Sequence, residues 1–181
     1  MNQLSVSSPK KLWSCDSEFD AVWKKRIAIM ASYLELPGAV ADFGCGLMWL
    51  EQFLPPQNSY LPIDYIQRDT RTFVLDFNRD SLENIKAEVA VLSGVLEYIQ
   101  DAGEFIRKLK DRNFKRIILS YCTLEKHGNM EARKALNWVS HESIFRLLAL
   151  FLDHYYLAAI NDVNNNTILV FDRKSHENLS V

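Results

Sequence analysis

Two glycines at alternate positions follow a short apolar stretch that ends in an acidic residue. The stretch reads Ala39-Val-Ala-Asp-Phe-Gly-Cys-Gly-Leu47, and apolar residues at helical spacing continue to Leu54. This order predicts a buried strand, a tight turn and a helix. Because glycine lacks a Cβ atom, Gly44 and Gly46 can adopt positive φ and let a ligand lie against the backbone, close to the free N–H groups of the helix start. A nucleoside-type cofactor fits such a turn.

The residues around the glycines distinguish between two kinds of cofactor. A dinucleotide fingerprint requires Gly-x-Gly-x-x-Gly, and Trp49 stands at its last position, which disfavours a dinucleotide. The segment Asp42-Phe-Gly-Cys-Gly46 instead resembles the first motif of the class I S-adenosylmethionine-dependent methyltransferases, with Met48 in place of the usual third glycine. A glycine turn in some other α/β protein is the alternative at this point.

Two further acidic residues end apolar stretches downstream. Asp64 ends a predicted second strand, where a carboxylate can accept hydrogen bonds from both ribose hydroxyls of an adenosine. Asp76 ends a predicted third strand over Thr72 to Asn78. The resemblance implies that Asp76 accepts a hydrogen bond from the adenine amino group and that Phe77 covers the ring. Predicted contacts to the same cofactor, S-adenosyl-L-methionine, also include Asp42, Gly44, Cys45, Gly46, Tyr65, Ser93 and Gly94.

A second motif supports the resemblance. The run Leu96-Glu-Tyr-Ile-x-Asp101 is similar to the segment after the fourth strand of many small-molecule methyltransferases. The pattern of the DNA amino-methyltransferases, Asn or Asp before Pro-Pro and an aromatic residue, would fall on residues 93–96 and is absent there. This absence argues against methylation of nucleobase amines.

The remaining pattern predicts an α/β domain. A helix is expected from a cap at Asp16 or Ser17 to the stop at Pro37-Gly38, and Asp101 is expected to cap another. Too few residues separate the second and third strands for a full crossover helix. Apolar strands around an Asn-rich turn at residues 164–166 predict a C-terminal hairpin.

For residues 19 to 174, the resemblance implies a three-layer Rossmann-like sandwich. Its sheet has seven mostly parallel strands in the order 3-2-1-4-5-7-6 and ends in an antiparallel hairpin. Residues 1–16 are interpreted as a flexible N-terminal arm or lid, and residues 17–181 as one methyltransferase-like domain.

Methyl transfer to a hydroxyl benefits from a base, and several residues near the predicted strand ends could supply it. The candidate catalytic residues are Tyr121, His127, Glu97 and His141. Arg71 and Arg133 could pair with a substrate carboxylate or phosphate, but the pattern favours a surface charge for each. Trp23 and Arg26 in the first helix could reach the site, and Trp23 could equally be a core residue.

Composition limits the partners and the compartment. The chain has 181 residues and a net charge of −2, which provides no general field for nucleic acid or anionic membranes. Three widely spaced cysteines suggest neither a disulfide framework nor a zinc site. No apolar stretch approaches the length that crosses a bilayer, and no signal pattern is recognisable at the start, so a cytoplasmic protein is expected.

The combined expectation is transfer of a methyl group from S-adenosylmethionine to a small-molecule acceptor. A loose resemblance to small bacterial methyltransferases of surface-polysaccharide or glycolipid gene clusters suggests a sugar hydroxyl as the acceptor, with nucleotide-linked and lipid-linked sugars as candidates. Two alternatives stay open: a methyltransferase-like scaffold without turnover, favoured by Met48 and the short crossover, and an RNA methyltransferase. The sequence does not predict an oligomeric state.

Overall fold

The computed structural model describes residues 20–175, which form one seven-stranded sheet with helices on both faces. The predicted arm at residues 1–16 lies outside the described residues. The helices and strands are α1 (Ala21–Ala31), β1 (Gly38–Phe43), β2 (Asn58–Asp64), β3 (Phe73–Val74), β4 (Val89–Ser93), α2 (Ala102–Asp111), β5 (Arg116–Tyr121), α3 (Met130–Ala135), α4 (Ile144–Phe151), β6 (Tyr155–Val163) and β7 (Asn166–Arg173). Short 3₁₀ helices also cover Trp49–Phe53 and Leu96–Tyr98.

The strand order is β3-β2-β1-β4-β5-β7-β6, as the resemblance implies. Strands β1 to β5 pair in parallel, and β7 runs antiparallel to both β5 and β6. The predicted fold, including its C-terminal antiparallel hairpin, is therefore confirmed. Pro62 is accommodated in β2 because β3 pairs only with Ile63 and Asp64, which leaves Pro62 at an unpaired edge on that side.

Side chains of the central strands alternate between two hydrophobic cores, as expected for strands covered on both faces. Phe43 packs on the side covered by α2 and α4, and Val40 packs on the side covered by α1. The helices present apolar residues at helical spacing, for example Phe105, Ile106 and Leu109 in α2. The Asp101 side chain accepts a hydrogen bond from the Glu104 N–H, which confirms it as the cap of α2.

The first helix differs from its prediction at both ends. Its cap is Asp20, whose side chain accepts a hydrogen bond from the Val22 N–H, rather than Asp16 or Ser17. The helix ends at Ala31 instead of continuing to Pro37-Gly38. Leu34 is nevertheless buried in the core, because the chain turns tightly after Ala31.

The helix predicted directly after the glycine turn is a single 3₁₀ segment, Trp49–Phe53. Met48 before it has a left-handed backbone conformation, with φ of 55°, and Pro55-Pro56 follow it. The segment between these two interruptions is too short for a stable α-helix, and five of its residues form the 3₁₀ turn. The predicted third strand is likewise short, because only Phe73 and Val74 pair with β2.

Irregular chain replaces helices in two crossovers of the described structure. Between β2 and β3 there is no helix, as the short spacing predicts, and the longer segment between β3 and β4 also lacks one. Leu82 and Ile85 from that second segment cover the core in place of a helix.

Strand β6 forms one edge of the sheet, and its register shifts between Leu157 and Ala159. Such a shift corresponds to a β-bulge, which adds a residue to one strand and bends it. Among residues 20–175, no helix has the length and apolarity that crossing a membrane requires.

Candidate functional site

A cleft of about 440 Å³ opens at the carboxyl ends of the central strands. This position is where ligands bind in open α/β sheets, and the volume suits a nucleoside-sized molecule. The predicted cofactor residues all line it, together with the candidate Glu97; they are Asp42, Gly44, Cys45, Gly46, Asp64, Tyr65, Asp76, Phe77, Ser93 and Gly94.

The glycine turn after β1 forms the middle of the cleft. Gly44 and Gly46 have φ values of 72° and 50°, the left-handed region that glycine adopts without strain. The N–H groups of Gly44 and Cys45 both donate to the Ile63 carbonyl oxygen of β2, at 2.8 and 3.0 Å. A Cβ atom on Gly44 would lie 2.5 Å from Val95 Cγ2, so glycine is required there.

Asp64 is buried beside this turn and accepts several hydrogen bonds. Its Oδ2 atom accepts from the Gly46 N–H at 2.9 Å and from Arg68 Nε at 3.3 Å, and its Oδ1 atom accepts from the Ile66 N–H at 3.1 Å. The carboxylate is therefore fixed in orientation at the end of β2. It lies next to the glycine turn, where the sequence predicts a ribose contact.

Asp42 is the second buried carboxyl group of the cleft. The Tyr60 hydroxyl donates a hydrogen bond to its Oδ2 atom at 2.7 Å. Burial raises the pKa of Asp42 to about 7, opposed by the hydrogen bond from Tyr60 and reinforced by the nearby charge of Asp64. The group therefore titrates near neutral pH in the free protein.

This pKa makes the stability of the protein depend on pH. The ordinary pKa of an Asp side chain is 3.8. Between that pH and about pH 7, Asp42 is therefore protonated in the folded state and ionised in the unfolded state. The contribution of Asp42 to the free energy of unfolding accordingly decreases as the pH rises through this range. We expect Asp42→Asn to abolish that decrease, so that the difference in unfolding free energy between variant and wild type grows by about 2 kcal/mol from about pH 5 to about pH 8.

Urea unfolding of both proteins at the two pH values measures this difference, and the variant retains an acceptor oxygen for Tyr60. A difference that stays constant with pH would show that Asp42 has an ordinary pKa.

Asp76 and Phe77 lie at the opposite end of the cleft from α1. The Asp76 carboxylate accepts from the Asn78 N–H at 3.0 Å and lies 3.6 Å from Arg79 Nε. The Phe77 ring packs against Phe43 with centroids 5.6 Å apart. Phe77 thus forms an apolar part of the cleft wall, and its packing against Phe43 fixes the position of its ring.

One end of the cleft is lined by two buried ionisable side chains, the carboxyl group of Glu97 and the guanidinium group of Arg26. Glu97 Oε1 accepts a hydrogen bond from the Cys122 N–H at 2.9 Å, whereas Oε2 has no hydrogen-bond partner among residues 20–175. Burial raises the pKa of Glu97, and the charges of Arg26 and Arg133 oppose this rise. Arg26 extends from α1 to the same region and donates from Nε to Ser93 Oγ at 3.1 Å.

The other three candidate catalytic residues do not line this cleft. They surround Arg133, whose guanidinium is completely buried. Arg133 donates to the Tyr121 hydroxyl at 2.9 Å, to His141 Nδ1 at 3.1 Å and to the His127 carbonyl oxygen at 3.2 Å. The Tyr121 hydroxyl also donates to the Ser140 carbonyl oxygen. Through Arg133, the Tyr121 hydroxyl, the His141 ring and the His127 carbonyl oxygen connect parts of the chain between β5 and α4.

The two arginines proposed for substrate anions are also engaged elsewhere. Arg133 has no exposed surface, and Arg71 pairs on the protein surface with Glu51 at 2.6 Å and with Asp69 at 2.8 Å. Neither guanidinium lines the cleft. Arg71 is thus a surface charge, as the sequence favours, whereas Arg133 is buried, which the sequence does not indicate.

Several lining residues were not predicted from the sequence. Trp138 and Tyr98 both line the cleft. Trp138 also stacks on Arg133, whose Cζ atom lies 4.9 Å from the ring centroid. No periodic pattern marks Trp138, because it lies in an irregular loop. The backbone N–H groups of Val139 and Ser140 hold this loop against the Glu97 carbonyl oxygen.

No known protein-family model matches this sequence, and no curated protein sequence matches it. Similar solved structures include an O-methyltransferase from neocarzinostatin biosynthesis (TM-score 0.64, 17% identity), which aligns over 90% of this chain and 58% of its own. An O-methyltransferase family protein from Burkholderia thailandensis (TM-score 0.71, 15% identity) aligns over 90% of this chain and 59% of its own. This chain therefore spans less than two thirds of the length of either protein.

A third similar structure is the 1,6-didemethyltoxoflavin-N1-methyltransferase from Burkholderia thailandensis, with a TM-score of 0.61 and 14% identity. It aligns over 91% of this chain and 81% of its own. At these identities the likeness concerns the fold. The chain has the fold of the class I S-adenosylmethionine-dependent methyltransferases, as its motifs suggest.

Proposed function

We propose that this protein is an S-adenosylmethionine-dependent methyltransferase that acts on a small-molecule acceptor. The observation that carries the proposal is the contact between the glycine turn and Asp64, in which the Gly46 N–H donates to the carboxylate at 2.9 Å. This contact supports the proposal, because it holds a carboxylate at the end of β2 beside a turn that a nucleoside can approach closely, where ribose hydroxyls could reach it. The fold and the bound ligands named for two similar structures, S-adenosylmethionine and S-adenosylhomocysteine, agree with it.

The residues of the cleft fit the parts of this cofactor. Asp64 holds the ribose hydroxyls, and the turn at Gly44 and Gly46 provides backbone that no side chain covers. Asp76 accepts from the adenine amino group, while Phe77 packs against one face of the ring. Asp42, once ionised, favours the positive charge of the sulfonium and ammonium groups.

When bound, the cofactor supplies an activated methyl group, so the protein has to position an acceptor, exclude water and remove a proton. Positioning of this kind lowers a barrier by as much as about 7–11 kcal/mol. Trp138, Tyr98 and Glu97 form the wall nearest to the loop after β5 and are the residues that would contact the acceptor. Glu97, held through Oε1 by the Cys122 N–H, is the acidic group on this wall.

The acceptor is proposed only as a small molecule. The similar structures named above include proteins that carry 2-hydroxy-5-methyl naphthoic acid and 1,6-didemethyltoxoflavin. A sugar hydroxyl remains one candidate class, and nucleotide-linked sugars belong in any acceptor panel beside hydroxylated aromatic acids.

Calorimetric titration with S-adenosylmethionine and S-adenosylhomocysteine tests the proposal. We expect both to bind with micromolar dissociation constants. Absence of binding up to about 1 mM of either ligand, a free energy weaker than about −4 kcal/mol, would contradict the proposal and favour a scaffold without a cofactor. Binding of both ligands without methyl transfer to any acceptor of the panel would support the cofactor site and show that none of the tested molecules is the acceptor.

A further inference from the structure

We propose that His141 is a pH-sensitive switch for the loop between β5 and α4. Its neutral ring completes the contacts of the buried Arg133, and protonation of the ring releases the part of the loop that carries Trp138. His141 lies behind the cleft wall and does not line the cleft itself. The switch therefore extends beyond the proposed methyl transfer, and the protein alone is sufficient to test it.

The guanidinium of Arg133 is completely buried and uses all its donors. A guanidinium has five N–H donors, and four of those on Arg133 donate to three backbone carbonyl oxygens and to the Tyr121 hydroxyl. The fifth, on Nε, donates to Nδ1 of His141 at 3.1 Å. The imidazole is thus the acceptor in this set that a proton can remove at mildly acidic pH.

A ring nitrogen accepts a hydrogen bond only while it carries no proton. Because Nδ1 of His141 accepts from Arg133, the neutral ring has its proton on Nε2. A second proton would turn Nδ1 into a donor that points at the Nε–H of Arg133, and two positive charges would lie side by side at a buried site. Arg133 keeps its own proton at these pH values, so the protonated ring has to move away.

The charges next to His141 act in the same direction. Burial lowers the pKa of His141, and the positive charges of Arg133 and Lys134 lower it further, whereas the charge of Glu142 opposes them. The ordinary value is 6.5. The closed loop, in which His141 accepts from Arg133, therefore has its full stability above about pH 6.5 and loses stability as the pH falls below it.

Other ionisable groups also face Arg133 from the elements packed around it. They are Glu97, Tyr121, Cys122 and His127. Burial raises the pKa of Tyr121 and of Cys122, so both stay uncharged in acid. Burial also raises the pKa of Glu97, which can take up a proton as the pH falls. A test of the switch has to separate His141 from Glu97 and from His127.

Arg133 connects His141 to the wall of the cleft. Trp138 lines the cleft, and its ring centroid lies 4.9 Å from Arg133 Cζ. Nη2 of Arg133 donates to the Ser140 carbonyl oxygen at 3.0 Å. The segment of residues 136–140, which ends directly before His141, has every backbone N–H in a hydrogen bond. Displacement of the protonated ring from Arg133 therefore loosens this segment and, with it, the part of the wall that Trp138 forms.

Amide hydrogen exchange of the free protein at about pH 8 and about pH 5.5 tests the switch. Protection factors, which correct for the effect of pH on the intrinsic exchange rate, are compared for residues 136–140 and for β4. In wild type we expect residues 136–140 to lose protection about tenfold at the lower pH, because protonation at one unit below the ordinary pKa favours the open loop by that factor. We expect β4 to lose none.

His141→Asn is expected to abolish this loss of protection. The Oδ1 atom of asparagine takes the position of Nδ1, so it can accept from Arg133 Nε and cannot be protonated. His127→Asn is the matched control, because it removes an imidazole from the same loop, while the contact of His127 with Arg133 is made by the backbone carbonyl oxygen. This variant should show the wild-type dependence on pH. If His141→Asn does not fold, His141→Gln replaces it, since glutamine also offers an uncharged oxygen.

Three results would overturn the proposal. The first is equal loss of protection in wild type and in the His141 variant, which would assign the response to another group such as Glu97. The second is loss of the response in His127→Asn, and the third is unchanged protection of residues 136–140 in wild type. A loss that extends to β4 counts with the third, because acid would then open the whole sheet. No ligand is present in these measurements, so their outcome is independent of whether the protein binds S-adenosylmethionine.

Discussion

Asp64→Asn is expected to weaken the binding of S-adenosylhomocysteine about a hundredfold, while the protein remains folded. The carboxylate accepts hydrogen bonds from both ribose hydroxyls in the proposed complex, whereas an amide has one acceptor oxygen and an NH₂ group in its place. Hydrogen bonds to a charged group each contribute about 1.5–3 kcal/mol, so the loss of one accounts for a large decrease in affinity.

The asparagine variant is preferable to alanine because Asp64 also has a structural role. Its carboxylate accepts from the backbone N–H groups of Gly46 and Ile66, and an amide oxygen can still accept from one of them. We therefore expect a modest loss of stability, about 1–2 kcal/mol, that thermal or urea unfolding separates from the loss of binding.

Asp69→Asn is the matched control for this measurement. Asp69 lies on the same segment after β2, and its partly exposed carboxylate pairs with Arg71 at the surface. Its variant should bind S-adenosylhomocysteine with nearly wild-type affinity. If Asp64→Asn does so as well, the assignment of the ribose contact to Asp64 is incorrect.

Arg133→Met is expected to lower the free energy of unfolding by about 3–5 kcal/mol. The buried guanidinium donates to His141 and to the hydroxyl of Tyr121, and to backbone oxygens of Cys122, His127 and Ser140. Methionine has a similar length but no donors, so these acceptors would lose their partner in a region from which water is excluded.

Lys134→Met provides the comparison for this variant, because it removes the adjacent positive charge at the surface. The Lys134 side chain is 62% exposed and pairs only with Glu131, so its stability should change by less than about 0.5 kcal/mol. Urea unfolding of the three proteins measures both effects. A stability of Arg133→Met close to that of Lys134→Met would show that the loop after β5 is held by other contacts.

The sheet and the part of the cleft around the glycine turn could be predicted because local patterns encode them. Asp42, Gly44 and Gly46 lie within one short segment, and Asp64 ends the next strand, so spacing along the chain alone indicates their proximity. The strand order followed from the resemblance of two motifs and a hairpin, and the structure confirms it.

The loop after β5, which forms one wall of the cleft, could not be predicted in the same way. Tyr121, His127 and His141 have the chemistry of a catalytic group, but the burial of Arg133 determines what they contact. That burial depends on how residues 122–143 fold back over β5, which no periodic pattern encodes. Met48 is a related case, since a left-handed conformation at a residue other than glycine is decided by the surrounding turn.

The bulge in β6 affects how readily the edge of the described sheet can pair with a strand of another molecule. An edge strand with exposed apolar residues such as Tyr156 and Ile160 offers unpaired backbone groups to a strand of another molecule. Because the register shifts between Leu157 and Ala159, this edge is bent in the middle of its nine residues and cannot align with a straight strand along its whole length. The same irregularity that interrupts pairing with β7 thus shortens the straight stretch of this edge with which another strand could pair.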